Sequence, residues 1–166
     1  MRGTATWLAT LSVCVLVLAA GVIAADEHKH DHSKLPPGPI RDRHDLMETQ
    51  GEEAENINMA LSGPEGMDTG IIQRDAQAIA VSAARIPSLF PKGSTDPNSR
   101  ALPVIWDKWD DFVQHAKDLE HDAQSLSNAA GQGLAEEIQG KVKKMMGACK
   151  SCHDQFRKPK EEEKGK

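Results

Sequence analysis

The chain has 166 residues, 25 of them acidic and 20 basic, and its formal net charge is −5. This length predicts one domain rather than two. The acidic balance argues against nucleic acid as a partner, because nucleic-acid binding requires a basic face.

The first 25 residues have the pattern of a secretory signal peptide. The basic residue Arg2 precedes an apolar run over residues 8–22, and the small residues Ala24 and Ala25 stand before a sharply polar segment. That order of basic, apolar and small residues predicts export and cleavage. A transmembrane anchor is the alternative, but the run is shorter than the roughly 20 apolar residues of a span. We therefore expect a periplasmic protein that has no membrane span after cleavage of the signal peptide.

Residues 26–39 are predicted to form a disordered, histidine-rich arm, since they show no apolar period and end in three prolines. His28, His30 and His32 alternate with charged residues and could bind Cu²⁺, Zn²⁺ or Ni²⁺, which would make the arm a metal-binding module. A solvated arm is the favoured alternative, because a short disordered segment has no preformed metal site. At the other end of the chain, residues 159–166 form a charged tail.

Apolar residues recur at spacings of three and four in two stretches of the first half of the chain. The first extends from Ile40 to Leu61 and is followed by glycine and proline, as helix ends commonly are. The second starts near Asp68 and Thr69, which are good N-cap residues, and is stopped by Pro87. We predict one helix over each stretch.

Two further helical stretches follow a loop that is rich in proline. Apolar residues from Ile105 to Leu126 alternate spacings of four and three without a miss, which is the a/d pattern of packed helices. The last stretch extends from about Leu134 to Arg157, and no segment shows the alternation of a strand. Four helices joined mostly by short turns predict an all-α fold, an antiparallel four-helix bundle over residues 40–158.

Cys149-Lys150-Ser151-Cys152-His153 has the Cys-x-x-Cys-His pattern of c-type haem attachment. Residues three apart lie on the same face of a helix, so both sulfur atoms can reach the two vinyl groups of one porphyrin. The adjacent His153 can then supply an imidazole as axial ligand of the iron. We predict one covalent haem c bound through Cys149 and Cys152, with His153 as a metal ligand.

Three other interpretations of this motif are weaker. A thioredoxin-like redox pair requires a strand followed by the start of a helix, whereas this motif ends a long helix. A zinc site would need further Cys or His ligands, and none is placed nearby in the sequence. A disulfide between Cys149 and Cys152 would close a very short loop and would leave His153 without a role.

The motif lies near the C-terminus, on the last predicted helix, whereas most small cytochromes c carry it near the N-terminus. In this position it resembles class II cytochromes c, the cytochrome c′ family of exported four-helix haem proteins. Besides the ending at residues 149–158, the first helix at 40–47 and the mid-chain loop at 86–91 and 103–106 are similar to that family. The resemblance spans about residues 40–158.

In that family, the residue that faces the distal side of the haem lies on the first helix, four positions after an arginine. Here the arginine is Arg43 and the residue four positions later is Met47, and Gly51 also matches the low-spin, His/Met-ligated branch. The resemblance therefore implies Met47 as sixth ligand of the iron. An ordinary core methionine is the alternative, since methionine often fills gaps in cores. His44 is a competing ligand three positions earlier.

For the remaining polar and sulfur-containing residues near the predicted haem, the sequence supports less specific predictions. Arg43 and Arg157 are candidate cofactor-binding residues, as partners of the haem propionates, with a solvated surface charge as the equal alternative for each. We expect Met145 and Met146 to pack against the haem edge rather than to bind the iron. His115 and His121 fall off the seam of the third helix, so we expect both to face solvent.

Nothing in the sequence marks a site of substrate turnover, so we do not expect an enzyme. A haem iron with His153 and Met47 as ligands is closed to gases and suits one-electron transfer with redox partner proteins in the periplasm. The alternative is a high-spin cytochrome c′ that binds NO or CO at an open distal face. Family members often pair through their first two helices, but the apolar stripes here do not require a homodimer.

Overall fold

The computed structural model describes residues 35–63 and 66–159. The predicted signal peptide, most of the predicted arm and nearly all of the charged tail lie outside the described residues. No helix in the described part of the chain is long and apolar enough to cross a membrane. In chain order the elements are α1 (Pro39–Ala60), α2 (Thr69–Ala83), a 3₁₀ turn (Ile86–Leu89), the short α3 (Val104–Asp107), α4 (Trp109–Gly131) and α5 (Ala135–Phe156).

Local sequence explains where α1 and α2 begin. Pro39 occupies the first turn of α1, where no backbone N–H is needed, and the preceding Gly38 has a φ of 109° that glycine adopts without strain. Asp68 caps α2, because its carboxylate accepts a hydrogen bond from the backbone N–H of Ile71 at 3.0 Å. Both helices therefore begin within a residue or so of the predicted positions.

Successive long helices pack against each other and run antiparallel. In the α4–α5 pair, Lys144 contacts Asp122 at 2.8 Å and Lys141 contacts Ser125 at 3.0 Å, so later residues of one helix meet earlier residues of the other. Contacts between α1 and α2, and between α2 and α4, show the same reversal. The predicted antiparallel four-helix bundle is confirmed.

The core of the bundle is aliphatic, and it is continuous from α1 through α2 and α4 to α5. In contrast, the first and last helices have little direct contact with each other. The space between α1 and α5 is therefore available for something other than packed side chains. The most deeply buried large side chains of the core are Ile57, Ile72, Ile79, Ile105, Leu126, Ile138 and Met145.

The structure differs from the predicted elements at two places. Lys108 has a φ of −118° and a ψ of 46°, so the predicted third helix is divided into α3 and α4. The spacing of four from Ile105 to Trp109 continues across this break, which is why periodicity alone does not reveal it. Near the N-terminal end, Leu35 is buried and its carbonyl accepts a hydrogen bond from Arg41, so this part of the predicted arm packs on the bundle.

Candidate haem-binding site

The Cys-x-x-Cys-His motif occupies the last two turns of α5, which ends at Phe156. Cys149 and Cys152 are half-buried and form no disulfide, and their spacing of three places both on one helix face. The carbonyl of His153 accepts a hydrogen bond from the backbone N–H of Arg157 at 3.1 Å, which closes the helix. A regular helix therefore presents two free thiols and one imidazole.

The surroundings of the two cysteines favour neutral thiols. Burial raises the pKa of the Cys149 thiol. Burial, and then the neighbouring Cys149, raise the pKa of Cys152 to about 11, although Arg157 opposes this shift. A redox-active cysteine pair requires the opposite, a thiol with a depressed pKa. The electrostatics of this pair therefore do not match a thiol–disulfide oxidoreductase.

His153 is uncharged at neutral pH. Burial, followed by the positive charges of Arg157 and Arg100, lowers the pKa of the imidazole to about 4, although Asp154 acts in the other direction. A neutral imidazole keeps a lone pair on one ring nitrogen, which is the form that binds metal ions. The residue predicted as an axial ligand thus has the protonation state that ligation requires.

The motif faces a cavity between α5 and α1. An inner compartment of about 30 Å³ adjoins an outer compartment of about 410 Å³, and Met47, Cys152 and His153 line both. Met47 and His153 therefore stand on different helices around the same space. The inner compartment is completed by Gln50, Ile86, His115, Ala116, Leu119, Ala148 and Cys149.

Arg43 lines the outer compartment but is already engaged with the loop before α3. Its guanidinium donates to Ser94 Oγ and the Ser94 carbonyl, both at 2.8 Å, and to Ser99 Oγ at 3.1 Å. It also lies 4.7 Å from the centre of the Phe90 ring, within cation–π range. Burial lowers the pKa of Arg43, an effect that Asp96 opposes. The contact with a haem propionate stays a prediction.

Arg157 lies exposed at the rim of the outer compartment, which Arg100 also lines. Burial, and then the charge of Arg100, lower the pKa of Arg157. Arg100 Nη2 donates to the carbonyl of Lys158 at 2.7 Å, which holds the loop against the end of α5. Two guanidinium groups at one rim suit carboxylates, which they can bind by charge-assisted hydrogen bonds. The propionate contact of Arg157 stays a prediction, and Arg100 lies at the same rim.

His44 and His115 both contact other side chains of the protein. His44, the competing ligand, lines the outer compartment with its ring nitrogens 3.6 Å from Asp45 and 3.5 Å from Glu48. His115 is half-buried rather than solvent-facing, because its ring lies 3.0 Å from Gln155 Nε2 and 3.4 Å from Ser151 Oγ of α5. The off-seam position of His115 directs it to the neighbouring helix.

Comparison with known proteins identifies the family. The family model described as Cytochrome C′ matches residues 38–157, which is most of the chain and includes each of the cavity residues named above. The chain belongs to the cytochrome c′ family. Proteins of this family bind one covalent haem c, so the predicted cofactor is confirmed.

Curated cytochromes of this family are similar to the chain over most of their length. Cytochrome c-554 of Cereibacter sphaeroides is 35% identical over 122 residues, which cover 71% of this chain and 79% of that protein. Cytochrome c′ of Rhodopseudomonas palustris is 32% identical over 128 residues, which cover 73% and 82%. The chain covers more than two thirds of each of these cytochromes.

Solved cytochromes c′ have the same fold. One, with a ligand-controlled dimer dissociation, matches with a TM-score of 0.66 and 24% identity over 73% of this chain and 95% of its own. A nitric oxide complex of a variant from Alcaligenes xylosoxidans matches with a TM-score of 0.67 and 21% identity over 75% and 99%. At these identities the similarity shows the four-helix bundle only.

The structure brings all the predicted site residues of this cytochrome c′ family member to one cavity, although they come from both ends of the chain. Other residues of the cavity wall were not predicted as site residues, among them the polar Gln50, Arg100 and His115. Gln50 could have been found, because it follows Met47 by three positions on the same helix face. Arg100 lies in an aperiodic loop, and His115 lies off the seam, so neither carried a sequence signal. The predicted residues are Arg43, Met47, Cys149, Cys152, His153 and Arg157.

Proposed function

We propose that this cytochrome c′ family member is an exported one-electron carrier of the low-spin, His/Met-ligated branch. In this proposal Cys149 and Cys152 would hold the haem, and His153 and Met47 would be the two protein ligands of its iron. The observation that carries the proposal is the position of Met47, which lines both compartments of the cavity together with His153. In this proposal the protein carries electrons and does not convert a substrate.

The two thiols account for covalent attachment. Each S–H would add across one vinyl group of the porphyrin, giving a thioether with no leaving group. Because Cys149 and Cys152 share a helix face at the edge of the cavity, both bonds can form to one porphyrin. Their protonated state at neutral pH also limits disulfide formation before the haem arrives.

The haem supplies a reversible one-electron change of its iron between the ferric and ferrous states. The residues of the chain determine how easily that change occurs. A thioether and an imidazole together as ligands would favour the ferrous state and raise the reduction potential. Ile86, Ala116 and Leu119 make part of the wall of the inner compartment apolar, and an apolar shell around a metal site tunes its reduction potential.

Replacement of Met47 tests the ligand assignment. We expect the wild-type ferric protein to show low-spin bands and a Met-to-iron charge-transfer band in the far red, and Met47→Leu to lose that band. The variant should show a broad high-spin Soret band, a lower reduction potential and rapid uptake of CO in the ferrous state. Met59→Leu is the matched control, because Met59 lies on the same helix with 59% of its surface exposed. A high-spin wild-type spectrum would rule out the carrier.

Binding of NO or CO at an open distal face is the second candidate function. It is favoured by the names of the similar proteins, which include several cytochromes c′ and a nitric oxide complex of one of them. These similarities favour gas binding over electron transfer, whereas the position of Met47 favours electron transfer. In the gas-binding protein Met47 would be a core side chain, so wild type and Met47→Leu would take up CO at similar rates.

The same proposal predicts where in the cell the protein is located and which class of protein it exchanges electrons with. Cytochrome c′ family proteins are typically periplasmic, and residues 1–25 have the pattern of a cleaved signal peptide. We infer export to the periplasm and exchange of electrons with redox proteins there. Recovery of the haem-containing chain in the periplasmic fraction, with an N-terminus near residue 26, tests export. A full-length haem-free chain in the cytoplasm would contradict it.

A further inference from the structure

Two buried polar side chains stand on α1, one helical turn to either side of Met47. Arg43 precedes Met47 by four residues and Gln50 follows it by three, so all three share one helix face. Arg43 is 4% exposed and Gln50 is 8% exposed, and they are the only buried polar residues of α1, a helix that the structure describes completely. The two residues thus flank the side chain that we assign as sixth ligand.

Each of these side chains is bound by a different neighbouring element. Arg43 donates its hydrogen bonds to the loop over residues 94–99. Gln50 Nε2 donates to Ser82 Oγ of α2 at 2.8 Å, and Ser82 Oγ lies 3.0 Å from the carbonyl of Ile79, to which it donates. Because the Ser82 hydroxyl hydrogen is used in this way, its oxygen must accept from Gln50, which fixes the orientation of the amide.

A glutamine is a costly residue at this place in the wall of the inner compartment. Ile86, Ala116, Leu119 and Ala148 make much of that wall apolar. Burial of an amide in such surroundings costs free energy unless the amide is hydrogen-bonded, and a leucine would fill the wall without that requirement. What Gln50 provides and a leucine lacks is a hydrogen bond from α1 to α2 at the level of the cavity.

Such a bond matters here because α1 and α5 have little direct contact. The position of Met47 relative to His153 therefore depends on how α2 and the loop hold α1. We propose that Gln50, through Ser82, and Arg43, through the loop, are positioning residues that hold Met47 where it can ligate the iron. This inference rests on the proposed His153/Met47 function. In it, the two anchoring side chains, Gln50 and Arg43, set the ratio between iron that Met47 ligates and iron whose sixth position is open.

Removal of the Gln50–Ser82 hydrogen bond from either side tests the inference on the holoprotein. Ser82→Ala and Gln50→Leu should each weaken the Met-to-iron band and raise the rate of CO uptake by the ferrous protein. A lost hydrogen bond of ordinary strength lowers the ratio of ligated to open iron roughly five-fold. CO uptake through the open form should rise by about the same factor, because the rate follows the open fraction. The double variant should show no larger change than either single variant.

Two matched variants separate positioning from a general loss of packing. Ser82→Thr keeps the hydroxyl group and should keep the wild-type spectrum and CO rate. Ser127→Ala removes a comparable buried hydrogen bond between helices, since Ser127 Oγ of α4 donates to the Gln73 carbonyl of α2 at 3.1 Å. It lies away from the cavity, so it should lower the melting temperature without any change in the spectrum.

The outcomes distinguish this inference from the proposed function. If the wild type shows Met ligation and both Ser82→Ala and Gln50→Leu keep its band and CO rate, the positioning role is wrong and the carrier stands. If Ser127→Ala changes the spectrum as much as Ser82→Ala, the effect is general packing and the inference also fails. If the wild type itself shows no Met ligation, the proposed function fails, and the inference falls with it.

Discussion

At neutral pH the thiols of Cys149 and Cys152 keep their protons and the imidazole of His153 is uncharged, since burial shifts the pKa of each group toward its neutral form. The sequence predicted which residues these are, because the spacing of the motif is itself a chemical requirement. It did not predict their environment. Part of that environment comes from Arg100, which a loop far away in sequence brings to the rim of the cavity.

Arg43, on the other side of the cavity, is a second residue whose role in the site was predicted from the sequence but whose environment was not. Its spacing from Met47 marked it as a site residue, but its hydrogen bonds go to Ser94 and Ser99, which no periodic pattern connects to α1. Side chains in an aperiodic loop find their partners only through the tertiary fold. For that reason the identity of a site residue was predictable here, whereas its partners were not.

Removal of the Arg43 guanidinium should therefore destabilise the protein. Arg43→Met deletes three hydrogen bonds that the buried guanidinium donates to the half-buried Ser94 and Ser99, so we expect a loss of about 2–4 kcal/mol in the free energy of unfolding. Urea unfolding of the holoprotein, followed by far-ultraviolet circular dichroism, measures this loss. Arg85→Met is the control, because Arg85 is exposed, and should change stability by less than about 0.5 kcal/mol. Equal stabilities of the two variants would show that Arg43 does not anchor the loop.

At the level of elements, the helices were predictable because each buries an apolar stripe at helical spacing. The apolar stripe in the sequence starts at Ile105, one turn before α4 begins. The spacing of four from Ile105 to Trp109 continues across the non-helical Lys108, so the pattern does not show the break. The stripe of α1 is interrupted by Arg43 and Gln50, which are buried although they are polar. Both departures from the helical apolar pattern lie next to the cavity or its loop. There the contacts of the folded protein, rather than the local spacing of apolar residues, determine which residue occupies each position.

The pairing of α1 with α2 includes an acidic cluster that should make stability depend on pH. Burial, and then the charges of Asp75 and Glu52, raise the pKa of Glu53 to about 7, and Glu53 Oε2 has no hydrogen-bond partner among the described residues. Between the ordinary pKa of 4.5 and about 7, the folded state holds a proton that the unfolded state has lost. The contribution of Glu53 to stability is therefore present below pH 4.5 and is lost as the pH rises to about 7.

Glu53→Gln should remove that part of the pH dependence. The variant should be more stable than wild type at pH 8 by about 1–2 kcal/mol, a value reduced because solvent reaches the half-buried carboxylate. Near pH 4 the two proteins should differ little. Unfolding by urea at a series of pH values measures the difference, and Glu55→Gln, an exposed position of the same helix, is the control. A constant difference between wild type and Glu53→Gln across the range would contradict the assignment.

For the whole molecule, the order of packing leaves a cavity between the first and last helices, where we propose that the haem binds. α1 packs on α2, α2 on α4 and α4 on α5, but the bundle does not close by packing α5 directly on α1. Instead, Met47 and Gln50 of one helix and Cys149 of the other line a shared cavity. Sequence periodicity predicts four helices and their apolar stripes, but it cannot show that the stripes of α1 and α5 face each other across a cavity.

With the proposed haem in this cavity, α1 should depend on the haem more than the other long helices do. In Cys149→Ala/Cys152→Ala, after extraction of unattached haem, we expect the amides of α1 to exchange with deuterium faster by on the order of ten-fold or more. Loss of the apolar surface that the haem buries against α1 removes the free energy that opposes its local opening. Amides of α2 and α4 should be affected less, because these helices pack on each other and supply much of the aliphatic core.

Hydrogen exchange followed by mass spectrometry on peptides from each helix measures this difference directly. Cys149→Ala alone keeps one thioether and the haem, so its α1 should retain nearly the protection of the wild type. Equal acceleration in α1, α2 and α4 of the double variant would indicate global unfolding rather than a local dependence. Unchanged exchange in α1 would mean that α2 and the loop hold this helix without the haem. In that case the anchors at Arg43 and Gln50 would be sufficient to place Met47 before the cofactor binds.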